Sequence, residues 1–363
     1  MAGFLSLLAV SCVHGGLDSV VPGWESAKSG WTYQFPRDHG PHRSFRTEWW
    51  YATGNLRDES GSESGFQLTF FRQGIRPGEL PTGASAFRVT DLPFAHFTVS
   101  DIRGKTFRAF QSSSRGSFGE AGFGTPPGRI AWIGDWILEG LPDGAFRLAA
   151  SGKGRSLDLR LDQERQPLIH GHDGISPKSA HPGHASHYYS LTRLQASGML
   201  AVDGRPRKVS GSVWFDHEWS TDSLEPDAAG WDWSGLHLDN GEDLMIFRIR
   251  DKQGKTAYVS GTLRDAKGSV TVLKDLSIVP SGSWKSPSSG GTYPASLEVT
   301  VPEKDIALRI LPKLPDQELR FPPFAYWEGA VRGEGTVRGE AVRAEGYLEL
   351  TGYGGAIRGV NGK

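Results

Sequence analysis

The sequence predicts an all-β chain made of two related antiparallel β units. Three observations carry that prediction: short runs in which apolar residues alternate with polar ones, abundant glycine, and an internal repeat. Alternating runs recur at Gly65–Phe71, Phe94–Val99, Arg155–Leu161, Asp243–Ile249 and Ala295–Val301, each bounded by turn-forming residues. Few stretches place apolar residues at the three- and four-residue spacing of a helix. The 48 glycines suit barrel corners, bulges and hairpin turns. Asp239-Asn240-Gly241, between two apolar runs, predicts a hairpin because Asn and Gly accept positive φ.

The repeat sets the organisation. Trp49-Trp50-Tyr51, Leu56 and Leu68 to Arg72 rhyme with Trp231-Asp232-Trp233, Leu238 and Leu244 to Arg248. Later, Tyr188-Tyr189, Gly198 and Gly211 to Trp219 rhyme with Tyr326-Trp327, Gly335 and Gly346 to Tyr353. The units are therefore expected over roughly 40–220 and 221–357, with Pro- and Gly/Ser-rich loops at 76–84, 112–128 and 281–294 inside them.

Composition narrows the function classes. Forty basic and 41 acidic residues nearly cancel, with no long block of one sign, which argues against binding nucleic acid. An aromatic content of 11% excludes a disordered chain. A single cysteine excludes a disulfide framework or a zinc ribbon. That residue, Cys12, follows an apolar run that ends in small residues, as at a lipoprotein cleavage site, although Ala9 sits where Leu is commonest. The sequence thus predicts a signal segment and tether over 1–34, lipidation at Cys12, and an exported protein held at a membrane in the bacterial periplasm. No later apolar run is long enough for a transmembrane helix.

The chain lacks a Gly-x-Ser-x-Gly elbow, a P-loop and a dinucleotide fingerprint, and Thr221 replaces the second histidine that His217-Glu218 would need in a zinc-protease helix. Four clusters mix Trp or Tyr with acids or His: Thr47–Tyr51, Trp214–Trp219, Gly230–Trp233 and Tyr326–Gly329. On a strand, Phe215, His217 and Trp219 would face one way and Trp214, Asp216 and Glu218 the other. A histidine between aromatic rings is a candidate acid or base, while these carboxylates serve equally as anchors for strand ends. Five histidines between His170 and His187 offer a metal-binding alternative, but their spacing on a Gly/Pro-rich loop reads as a polar loop over a barrel mouth.

Taken together, Glu48-Trp49-Trp50-Tyr51-x-Thr53-Gly54-x-Leu56, Phe94-Ala-His96-Phe97, Tyr188-Tyr189-Ser190, Trp214-x-Asp216-His217-Glu218-Trp219, Gly230-Trp231-Asp232-Trp233 and Tyr326-Trp327-Glu328-Gly329 resemble the AttH/CrtC family over about residues 35–356. The resemblance implies two tandem lipocalin-like antiparallel β-barrels packed together, over 35–220 and 221–357. Members include carotenoid 1,2-hydratases, which add water to a terminal C=C bond without a cofactor, and many exported proteins labelled predicted secreted hydrolases. It implies catalytic roles for His217, Asp216, Asp232 and Glu48. Trp49, Trp50, Tyr51, Tyr189, Trp219, Trp231, Trp233, Trp327 and Glu328 would contact an apolar, polyene or lipid-like ligand. No cofactor and no metal are expected. The alternative is a non-catalytic lipid-binding or transport protein of the cell envelope.

Overall fold

The computed structural model describes residues 23–78, 83, 85, 88–322 and 324–354, and Cys12 lies outside them. Among the described residues the chain is all-β apart from three single-turn 3-10 segments. Four of the five alternating runs lie wholly in strands and the fifth does from Ser296 on, and Asp239-Asn240-Gly241 turns between the strands Ala228–Leu238 and Asp243–Asp251, with Gly241 at φ 88°.

The first large sheet follows the order Thr106–Ser113, Asp91–Asp101, Glu63–Gly74, Thr47–Asp58, Arg205–Ser220, Ala185–Val202, Arg155–Gln163, Phe146–Gly152, Trp136–Gly140, Gly128–Ile133 and Ala121–Phe123. The second centres on Asp243–Asp251, Ala228–Leu238, Glu340–Thr351, Phe324–Val337 and Ile306–Pro312. In each sheet, the first long strand pairs antiparallel with the last one. Side chains from distant strands of the first sheet meet in one core, as where Phe97 and Trp136 pack edge to face at 5.7 Å. The hydrogen-bonded path still ends at Thr106–Ser113 on one side and Ala121–Phe123 on the other, so this sheet curls around its core without closing.

The repeat is real in three dimensions but slipped by two residues from its sequence alignment. A Cβ on Gly211 would lie 2.1 Å from the Asn55 carbonyl, and one on Gly346 would lie 2.0 Å from that of Gly235. These matching close approaches put Leu56, opposite Gly211, in the place of Leu236, opposite Gly346, rather than of Leu238. A slip of two preserves the face of every side chain, which is why sequence reading found the right pattern in the wrong register.

The last part of the segment expected as a tether packs on the first sheet. Trp24 is buried, and Trp31 and Tyr33 pack against the first core. The two sheets also pack on each other through a third apolar cluster that includes Tyr51, Tyr188, Trp214, Trp233, Phe247 and Tyr347. Polar bridges pin this interface, among them Ser100 Oγ to Gln317 Oε1 at 2.6 Å and Thr192 Oγ1 to Asp243 Oδ2 at 2.7 Å.

Candidate functional site

Near one end of the interface the sheets leave a cavity of about 130 Å³, measured as space open to the centre of a water molecule. It lies between the two sheets, not inside either one. Strand alternation decides which motif residues reach it. From Thr47–Asp58 come Trp49 and Tyr51, and from Arg205–Ser220 come Asp216 and Glu218. Ala228–Leu238 gives Trp231 and Trp233, Phe324–Val337 gives Tyr326 and Glu328, and Glu340–Thr351 gives Glu349. Phe71, Phe94 and Phe247 complete an aromatic wall.

Among the described residues, the acids in this cavity lack arginine partners. Asp216 accepts from Tyr188 Oη at 2.7 Å, from Trp214 Nε1 at 2.6 Å and from Ser190 Oγ. Burial outweighs those bonds and pushes its carboxyl up to about 7. Glu349 accepts from Trp231 Nε1 at 2.7 Å, and burial, with Glu218 and Asp216 nearby, raises it to about 7. Glu328 stands directly across the ladder from Glu349. Burial and then Glu349 hold its carboxyl well above the ordinary glutamate range. Tyr51 Oη donates to Glu328 Oε1 at 2.6 Å, while Oε2 has no hydrogen-bond partner among the described residues. A neutral Glu328 therefore presents an uncommitted carboxyl oxygen within the lining of an aromatic cavity.

The remaining polar groups are neutral or paired. Burial raises the Tyr51, Tyr188 and Tyr326 hydroxyls well above their usual range, so all three stay protonated. His96, lowered to about 3 by burial, is neutral and shares a hydrogen bond of 2.7 Å between Nδ1 and Tyr326 Oη. Lys178 reaches in from the loop before Ala185–Val202. Its Nζ pairs with Glu218 Oε1 at 3.0 Å and lies 4.4 Å from the Phe247 ring centroid.

Seven residues predicted for the site lie elsewhere. Glu48, Trp50, His217 and Trp219 occupy the other face of the same strands, towards the first core. Glu48 binds Arg72 at 2.8 Å and His217 Nε2 at 2.9 Å, while His217 stacks on Trp50 and Trp219 on His42. Tyr189 fills the same core, and Trp327 fills the second, donating to the Pro315 carbonyl. Asp232 bonds Arg248 and Arg250 at 2.5 and 3.1 Å. The loop histidines do not meet at one point, although His181 and His184 both lie beside Glu225. His170 bonds Ser190 and Thr262, His187 bonds the Gly174 carbonyl, and His181 lies beside Glu225.

Sequence reasoning did not single out His96, Lys178, Tyr188, Glu218, Tyr326 or Glu349 as site residues. The repeat held one usable clue, since Glu349 stands where the aligned position of the first unit carries the aromatic Trp214. Lys178 had none, because its loop carries no periodicity.

The chain matches the AttH-like family over residues 26–353. It is 34% identical to a crystal structure described as an AttH protein from Nitrosomonas europaea, with a TM-score of 0.79 and coverage of 89% of this chain and 98% of that one. Kievitone hydratase from Nectria haematococca shares the fold at 14% identity and a TM-score of 0.69, over 91% of this chain and 97% of that one. No curated protein matches the chain.

Proposed function

We propose that this chain, a member of the AttH-like family whose sheets enclose buried carboxyl groups without arginine partners in an aromatic cavity, is a hydratase of apolar alkenes. The ligand class is a molecule with a carbon–carbon double bond that tolerates a cation next to it, such as a polyene or a prenyl-bearing lipid. The observation that carries the reading is Glu328, a buried carboxyl held neutral with one oxygen unpaired.

The chemistry follows from these groups. Glu328 Oε2–H protonates one alkene carbon, leaving a carbocation on the other. Trp49, Trp231 and Trp233 offer ring faces that stabilise positive charge. A water attacks the cation and gives its extra proton to Asp216, whose carboxyl at about 7 exists in both forms near neutrality. Proton return to Glu328 through water closes the cycle, and the net change is addition of one water. None of these steps needs a cofactor. Export and anchoring at Cys12 belong to the same proposal, since an apolar ligand partitions to membranes.

The experiment is incubation of the purified protein with acyclic polyenes and prenylated lipids in D2O. The reading expects a product one water heavier with deuterium on the newly saturated carbon, lost in Glu328→Gln. Tight ligand binding without product, equal in the wild type and Glu328→Gln, would support the non-catalytic lipid-binding alternative instead.

A further inference from the structure

At the end of the first core, Glu48 and His217, on strand faces turned away from the cavity, and His42, from the loop before Thr47–Asp58, bring their donor atoms within 4.8 Å of one another. We propose that these three residues bind one divalent metal ion of the zinc type. His42 Nδ1 and His217 Nε2 lie 2.8 and 2.9 Å from the same oxygen, Glu48 Oε1. A tetrahedral zinc ion at about 2.0–2.2 Å from nitrogen and oxygen donors separates those donors by roughly 3.3 Å. Entry of the ion therefore widens both nitrogen–oxygen distances by about half an ångström.

The hydrogen bonds around the triad favour a cation at this point. His217 Nδ1 lies 3.0 Å from the Asp38 carbonyl. A neutral imidazole has one N–H, so donation to Asp38 leaves the Nε2 lone pair aimed at Glu48. That pairing, with the outer nitrogen on a backbone carbonyl and the inner one free, is how metal-bound histidines are oriented. His42 repeats it more loosely, with Nε2 3.6 Å from Asp38 Oδ1. Arg72 donates to the other Glu48 oxygen at 2.8 Å, and the His42 backbone N–H reaches Oε1 and Oε2 at 3.1 and 3.0 Å, so Oε1 carries one backbone donor and keeps a lone pair for the ion. The rings are fixed by stacking, Trp219 on His42 at 3.6 Å and Trp50 on His217 at 4.6 Å. The competing arrangement puts a proton between His217 and Glu48, with Tyr189 Oη, 3.2 Å away, donating to Nδ1. The ion would tie the turn at Arg37–His39 and the following His42 to the sheet. It plays no part in the hydration chemistry above.

The full chain is stripped with chelator and titrated with zinc by calorimetry, and with cobalt(II) by visible absorption. The proposal expects one site per chain, ligand-field bands of a low-coordinate cobalt centre, and a melting temperature raised by roughly 5 °C at saturating zinc. Glu48→Gln and His42→Gln each lower the affinity at least ~100-fold, with folding checked by circular dichroism. His181→Ala/His184→Ala, which removes the surface histidines beside Glu225, leaves the affinity unchanged. Failure to find saturable one-to-one binding overturns the site and establishes the proton arrangement. Binding lost only in the His181/His184 variant also overturns it and assigns the ion to the surface.

Discussion

Glu48 and Glu328 are both fully buried glutamates in Trp-rich strand motifs, yet their surroundings give them opposite chemistry. Glu48 faces Arg72 directly across the ladder, and this cation with the two neighbouring histidines holds its carboxyl well below the ordinary range. Glu328 faces another glutamate, Glu349, and is held well above that range. Asp232 follows Glu48, lying opposite Arg248, while Asp216 follows Glu328 and has only neutral donors around it. A buried acid opposite arginine is an ionised anchor, and one opposite another acid, or among neutral donors, is a store of protons.

This contrast is open to attack at both poles. The largest effect is expected at Glu328→Gln, which keeps shape and polarity but removes the proton. Turnover should fall by about 10³-fold with ligand affinity nearly unchanged, as measured by single-turnover kinetics beside a binding titration. Next is Asp232→Asn, which leaves Arg248 and Arg250 buried without their anion. Urea unfolding should report a loss of about 3–5 kcal/mol. At temperatures where the variant is folded, turnover per molecule should stay at the wild-type value. Equal loss of turnover in the Asp232 and Glu328 variants would erase the distinction.

Asp216→Asn should cost turnover about 10²-fold, because an amide cannot take the proton of the attacking water. The smallest effect concerns pH. In the unfolded chain Asp216 and Glu349 lose their protons near pH 4, whereas the folded protein keeps them up to about 7. Unfolding therefore releases protons between those values, and stability from these two groups falls as pH rises from 4 to 7, then levels off. The Asp216→Asn/Glu349→Gln variant should show a flatter stability profile over this window, by about 1.4 kcal/mol per unit and group at most.

Much of the fold was legible in the sequence because the two-residue period of a strand is written in its side chains. Alternation separated Trp214, Asp216 and Glu218 from Phe215, His217 and Trp219, and the structure keeps the two sets on opposite faces. It could not say which face met a cavity. That depended on the second sheet, whose Trp231, Trp233, Glu328 and Glu349 arrive from strands far along the chain. The acids of the motifs looked alike for the same reason. The partner that decides each one, Arg72 for Glu48 or Glu349 for Glu328, is set by cross-strand register, which a two-residue slip in the repeat was enough to hide.

The central claim is that Glu328 is protonated in the folded protein at neutral pH, and infrared spectroscopy tests it without a ligand. At pH 5 to 8 in H2O and D2O the wild type should show, beside the Asp216 and Glu349 acid bands that fade as pH passes about 7, one C=O stretch of a buried carboxylic acid that stays at pH 8, disappears in Glu328→Gln and persists in Asp232→Asn. A spectrum in which Glu328→Gln instead removes only carboxylate bands would contradict the account.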